Sequence, residues 1–466
     1  MNKLEKLENI TITYSKCLVL FLMCFIPFRN ELELLLGTYI KVLPDMMILI
    51  LLIGYVISQR GRVKIQLELL LGTYIKVLPD MMILILLIGY VISQRGRVKI
   101  QLSDIIFCLF FLVALINTIF IKKISISIYI MEVRSLAVYY ILYVVIRNYK
   151  FEQNYILKIC KCIRGLTYLL FVLGMIEMLS SKMLLFPKSV AESIIYADNF
   201  SRMYGMFCNP NTYGAFLVLT FFFVIYHAKG EKLWVYKCIA LASLFMTMSR
   251  SSLLIFIFVG ILYILIFRKE LLENKKALIL QIIIVGLISI GIYMLSVVGR
   301  ESMVKYINAG TTAEEAETTM FDRLKEMNSE EIVEQSNLVG RIFIVKTGIQ
   351  IWKDNAILGT GFGTYGSGAS MAWIPEIYEQ YGIPAGCYSD NEYIKDIVET
   401  GSVGFLLLCL FLVSILYEQR KKPLNILICI MVGWFGLFYN VFEVQIVAFL
   451  LWGYLGVLNQ NKEYER

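Results

Sequence analysis

The chain has 466 residues, of which 58% are hydrophobic and only 17% charged, with a formal net charge of +8. A soluble domain carries about 25% charged residues. No water-exposed globule could cover this much apolar surface, so an ordinary soluble enzyme, a disordered chain and a secreted disulfide scaffold are excluded. The 31 Gly and 8 Pro exclude collagen-like or Pro-rich low complexity. The apolar residues fall in long runs rather than periodic stripes. That is the pattern of an all-α, multi-pass membrane protein. A single histidine, His227, excludes a multi-His metal site and argues against a His-based triad.

The chain opens on a short charged head and an apolar run with no small-residue cleavage site after it, which reads as an uncleaved first span. Residues 32–66 then recur without one change as 67–101. Repeats with a function drift in sequence, so the copy reads as a recent duplication or an assembly artefact. The alternative is an extra hairpin or interfacial stretch that the fold tolerates. Apolar runs bounded by charge give spans at 13–28, 43–58, its copy 78–93, 105–121, 128–146, 165–180, 211–227, 234–249, 251–267, 277–298, 403–417, 424–440 and 444–458. Without the copy there are about 12 transmembrane helices. Each must be helical, because backbone groups find no other partner in lipid.

Placing the N-terminus in the cytoplasm puts Lys3, Lys6, Arg60, Arg62, Lys64, Arg147, Lys158, Lys161, Arg164, Lys229, Lys232, Arg268, Lys269, Arg420, Lys421, Lys422 and Arg466 inside. This satisfies the positive-inside rule with both termini cytoplasmic. Three regions result: N-terminal helices over 1–298, one large external loop over 299–402, and C-terminal helices with a short tail over 403–466. The loop holds 8 Lys/Arg and 16 Asp/Glu. The basic excess of the rest is a membrane-orientation signal, not a nucleic-acid footprint. Within the loop, 312–335 has helical composition with a solvated acidic face.

The ten cysteines form no framework. Cys17, Cys24, Cys108, Cys238, Cys409 and Cys429 lie in or beside apolar runs as small hydrophobes. Cys160 and Cys162 lack redox or zinc spacing. Cys208 and Cys387 fall in external loops, where a disulfide between them is the less favoured option.

Four polar motifs share the external face under this topology. The first runs from Arg202 through Asn209-Pro210-Asn211 to Gly214, and its turn chemistry suits a helix start. The second is Ser249-Arg250-Ser251-Ser252, joining two spans with almost no loop. The third is Gly340-Arg341, followed by Trp352 and Leu358-Gly359-Thr360-Gly361-Phe362-Gly363. The fourth is Ser389-Asp390-Asn391-Glu392-Tyr393, followed by Glu399, Gly401 and Gly404. Each has a bland explanation. Arg202 can snorkel to headgroups. The glycine string is a tight turn, since it opens no βαβ unit. Asp390 or Asn391 can simply cap a helix. Arg250 is harder to dismiss, because an arginine between two apolar runs on the outer side asks for an anionic partner. A Glu132/Arg134 pair within one span reads as a structural ion pair.

Taken together, in order and spacing, the motifs resemble the O-antigen polymerase and O-antigen ligase superfamily of bacterial envelope glycosyltransferases, over about residues 134–458. The resemblance implies a multi-span fold in the cytoplasmic membrane with one large external loop before the last spans. It implies transfer of a glycan from a polyprenyl-diphosphate carrier to a sugar hydroxyl, with no cofactor and no metal. The expected partners are the lipid-linked oligosaccharide, membrane lipid, a chain-length regulator and a flippase, with no nucleic acid. Ligases that the chain resembles carry His at the position of Asp390, so the aspartate leans towards the polymerase branch.

The chemistry assigns roles within that frame. Arg250 and Arg341 suit a diphosphate leaving group, because guanidinium forks bind phosphate oxygens bidentately and stabilise developing charge. Asp390 is the expected base on the acceptor hydroxyl, with Glu392 in reserve. Arg202, Asn209, Asn211, Asn391, Glu392 and Glu399 are expected substrate contacts. Tyr365, Trp373, Tyr378, Tyr381 and Tyr388 would stack on sugar rings or pack in a core. A ligase and, from another class, a lipid-linked oligosaccharide flippase are the competing readings. The flippase is disfavoured by the one-sided clustering of motifs and the lack of two similar halves.

Overall fold

A computed structural model describes residues 3–28, 78–93, 99–149, 151–179, 182, 185, 202–207, 209–228, 233–268, 279–280, 282–295 and 340–458. The first copy of the duplication, the 312–335 segment and Cys208 lie outside the described residues. Among those described there are helices and no strand. In chain order they are α1 (Lys3–Phe25), α2 (Leu78–Ser93), α3 (Leu102–Leu115), α4 (Ile126–Ile146), α5 (Gln153–Leu179), α6 (Pro210–His227), α7 (Leu233–Met246), α8 (Arg250–Ile266) and α9 (Ile282–Leu295). They continue with α10 (Arg341–Asp354), α11 (Gly368–Trp373), α12 (Glu376–Gln380), α13 (Glu392–Gln419), α14 (Pro423–Phe435) and α15 (Gln445–Leu458).

Among the described residues, five segments are long and apolar enough to cross a membrane, namely Asn9–Phe28, Leu102–Ile121, Ile126–Ile146, Gln153–Leu179 and Glu392–Gln419, and shorter apolar helices accompany them. The surface they present is itself apolar. Leu295 is 73% exposed, Phe120 70% and Leu287 65%. A water-soluble fold would not tolerate a bundle jacketed in such residues. The protein is a multi-pass membrane protein.

The second copy of the repeat supplies α2, which packs antiparallel on α1. The Tyr14 hydroxyl donates to the Met82 carbonyl at 3.4 Å, and a side chain at Gly89 would meet Thr11 at 3.3 Å. At the centre, α6 and α15 are almost wholly buried. Phe223 and Tyr454 stack there with centroids 3.9 Å apart. A polar knot closes one end of the bundle. Arg147, 2% exposed, pairs with Asp104, and Tyr140 donates to the same carboxylate at 2.6 Å. Glu418 accepts from the Ser103 backbone and hydroxyl at 3.1 and 3.0 Å, tying α3 to α13.

The other end carries the 340–392 region as a cap. Ile344, Ile351, Tyr365, Tyr378, Ile383 and Val398 form a small core of their own beneath α10–α12. Tyr365 and Tyr378 are 1% and 2% exposed, so both are core residues rather than sugar platforms. Trp373 stays 37% exposed, with its indole donating to the Gly363 carbonyl at 2.7 Å. Cys387 is a free thiol.

The glycine string docks this cap onto the bundle. α13 breaks at Gly401, whose φ is +65°. The opened backbone is taken up by the string: Thr360 N donates to Val398 O, Gly361 N to Glu399 O, and Ser402 N to Ala356 O, at 2.8–2.9 Å. A Cβ at Gly359 would lie 2.4 Å from the Gly401 nitrogen. Only glycine allows two backbones this close. The string also meets the π-helical end of α3, where Phe362 N donates to Thr118 Oγ1 at 2.9 Å.

The Glu132/Arg134 pair expected from sequence is replaced by two separate ones. Arg134 pairs with Asp80 of α2 at 3.0 Å, and Glu132 turns to Lys395 at 3.1 Å. Residues two apart on a helix do not face one another.

Candidate active site

The second, third and fourth motifs meet at the capped end, where the short segment 436–444 between α14 and α15 joins them, and the first packs against the second through Arg202 and Gly214. Gly436 O accepts from the Glu392 backbone at 2.8 Å, and Leu437 O accepts from Asn391 Nδ2 at 3.2 Å. Phe438 O accepts from Arg341 Nη2 at 3.4 Å, and the Phe438 ring faces that guanidinium at 5.8 Å. The Tyr439 hydroxyl lies 2.9 Å from Ser251 Oγ. One four-residue stretch therefore touches the N-terminal turns of α8, α10 and α13.

Each of those turns is shaped by its sequence. Ser249 caps α8, its hydroxyl accepting from Ser252 N at 3.4 Å, so Arg250 is the first helical residue. Gly340 precedes α10, whose first residue is Arg341. Asn391 caps α13, accepting from Ile394 N at 3.0 Å. Helix N-termini carry about half a positive charge. An arginine in that position adds like charge to like, a cost that an anionic ligand would turn into a gain.

Asp390 stands beside Arg341, Oδ2 to Nη2 3.6 Å, with side chains 42% and 46% exposed. Its φ is +48°, a conformation that Asp and Asn adopt more readily than most residues. It does not cap α13, since Asn391 does. Burial pushes the Asp390 carboxyl above its ordinary value while the Arg341 guanidinium pulls against that shift.

Three expected substrate contacts face the interior instead. Arg202 is 7% exposed. Its Nε donates to Thr247 O at 3.0 Å and its Nη2 to Asn211 Oδ1, so it braces the turn leading into Ser249-Arg250. Glu392 is 1% exposed, pairing with Lys395 at 2.8 Å and accepting from Phe442 N at 3.0 Å. It is held in an internal ion pair rather than beside Arg341 and Asp390. Glu399, also 1% exposed, accepts from Tyr365 N at 2.9 Å. Asn209 caps α6 through Asn211 N at 2.8 Å. Gly214 is where α6 passes α8, since a Cβ there would lie 2.5 Å from Ser252 Oγ. His227 is buried at the far end of α6 from Asn209, away from Asp390.

Sequence reasoning missed the 436–444 segment, including Tyr439, Asn440 and Glu443, and missed Lys395. The signal was present: Asn440, Glu443 and Gln445 interrupt an otherwise apolar stretch from 426 to 458.

Comparison with known proteins bears on this arrangement. Residues 235–409 match the O-antigen ligase family profile. The matched stretch carries the second, third and fourth motifs, and the resemblance drawn from those motifs is borne out. The exopolysaccharide production protein ExoQ of Rhizobium meliloti (strain 1021) is 33% identical over 93 residues, which is 19% of this chain and 21% of that protein. The chain thus aligns with about a fifth of the length of that curated relative.

Proposed function

We propose that this protein joins polyprenyl-diphosphate-linked oligosaccharide repeat units into a longer polysaccharide at the outer face of the cytoplasmic membrane. The observation that carries the reading is the meeting of Arg341, Asp390 and the Arg250 end of α8 around residues 436–439. A diphosphate fits there because fixed guanidiniums and helix N-termini complement concentrated negative charge. In the reaction the acceptor hydroxyl oxygen attacks the anomeric carbon. The bond from that carbon to the diphosphate oxygen breaks, and its electron pair leaves with the diphosphate. Asp390 takes the hydroxyl proton. A single displacement inverts the anomeric centre. Asp390 can do this as a weak base because an oxocarbenium-like transition state makes the attacking hydroxyl more acidic. The half-exposed Trp373 offers a surface for a sugar ring. A chain-length regulator and a flippase would work alongside.

A ligase that moves finished glycan to another acceptor is the second reading, favoured by the description of the matched family. Deletion of the gene followed by analysis of lipid-linked glycans separates them. Single repeat units stranded on carrier support the polymerase, and full-length polymer on carrier supports the ligase. Loss of outward transport overturns both.

A further inference from the structure

Lys395 is 0% exposed and sits one turn into α13. Its Nζ lies 2.8 Å from Glu392, 3.0 Å from Glu443 and 3.1 Å from Glu132, with Asp396 at 3.8 Å. The ammonium donates to Glu132 and Glu443 and forms an ion pair with Glu392. These three carboxylates come from three places: α4, α13 and the 436–444 segment. Glu443 carries the connection onward. Its other oxygen accepts from Gly368 N at 2.8 Å and from the Tyr388 hydroxyl at 3.3 Å. Asn440 donates to Glu443 at 3.3 Å and to Gly366 O at 2.8 Å, and accepts from Ser389 Oγ at 2.6 Å. The segment that touches Arg341 and Ser251 is therefore anchored at its far end to one buried cation.

We propose that Lys395 is a positioning residue: by clamping Glu443 and Glu392 together it holds the 436–444 segment where Phe438 meets Arg341 and Tyr439 meets Ser251. This rests on the site proposed above for glycan transfer. A cluster of carboxylates around one buried ammonium is a poor way to gain stability alone, since an apolar replacement of similar volume often does as well. What it does supply is direction, because hydrogen bonds to Glu132 and Glu443 and an ion pair to Glu392, all from one point, fix three elements relative to one another.

The test uses the full chain in membranes, with Val441, 3% exposed, replaced by Cys and its maleimide labelling read by mass spectrometry. Lys395→Met should raise labelling at position 441 by about tenfold or more, because breaking a buried ion cluster opens the segment locally. Glu443→Gln keeps hydrogen-bond acceptance towards Gly368 but loses the charge. It should give an intermediate rise, and it serves if Lys395→Met fails to insert. Unchanged labelling in both variants overturns the proposal.

The second readout is a cycle with Arg341→Lys, measured as polymer formed from lipid-linked repeat units. If Lys395 acts through the Arg341 contact, the double variant should lose little more than the worse single one. Additive losses would show a merely structural role and overturn the proposal. A wild-type chain that makes no polymer would sink the polymerase reading, while the labelling would still report on the clamp.

Discussion

Replacing Asp390 by Asn separates a catalytic carboxylate from a structural one. The change should leave the fold intact. Asn adopts the φ of +48° found at this position about as readily as Asp, and the cap on α13 belongs to Asn391. The substitution breaks the ion pair with Arg341, at 3.6 Å between side chains more than two-fifths exposed. Pairs of that kind contribute about 0–1 kcal/mol. Removing a general base costs about 10²–10⁴ in rate, equivalent to about 3–5 kcal/mol at 1.36 kcal/mol per decade. The two effects therefore differ by at least an order of magnitude in rate. The assay is polymer formation from lipid-linked repeat units by purified, reconstituted protein, with thermal unfolding followed alongside. Near-wild-type polymer from the Asn variant would refute the reasoning. The pH dependence adds a check. The carboxyl is shifted upward by burial, and a base works only when ionised. Wild-type activity should therefore fall, as pH is lowered, at a pH above the ordinary carboxylate range. The same upward shift means the folded state favours the protonated acid, so this group's contribution to stability declines as pH rises through its shifted value.

Arg250→Ala and Arg341→Ala should each reduce polymer formation by about 10²–10³, with normal protein level. Arg250→Lys should rescue poorly, since one ammonium cannot replace a planar fork on a diphosphate. Gly359→Ala should lower the yield of folded protein and expose Trp352, whose indole reaches Ser402 at 3.2 Å, to fluorescence quenchers, because a methyl group cannot fit against Gly401. Unchanged quenching would refute the account of the glycine string. Deleting 67–101 should leave a chain that inserts and works as well as the parent, because residues 32–66 can supply the same helix and the same Asp partner for Arg134. Lost activity at normal expression would show that both copies are needed.

Sequence alone determined that this is a bundle of apolar helices in a membrane. Long apolar runs leave the backbone no alternative in lipid, and twelve of the expected spans that fall on described residues are helices. It also marked Arg250, because an arginine between two apolar runs is costly and so conspicuous, and it marked Arg341 and Asp390 through the motifs that carry the family resemblance. Sequence could not decide which polar residues face a ligand and which face one another. Arg202, Glu392 and Glu399 looked like site residues for the same reason as Arg341, yet they are buried against Thr247, Lys395 and Tyr365. A buried charge and a functional one leave the same mark in a sequence. They differ only in what lies opposite, and here that is set by elements far away in the chain. The 436–444 segment is separated from Arg341 by about a hundred residues and from Arg250 by nearly two hundred. Only the packing of α8, α10, α13 and α14 brings those residues to it.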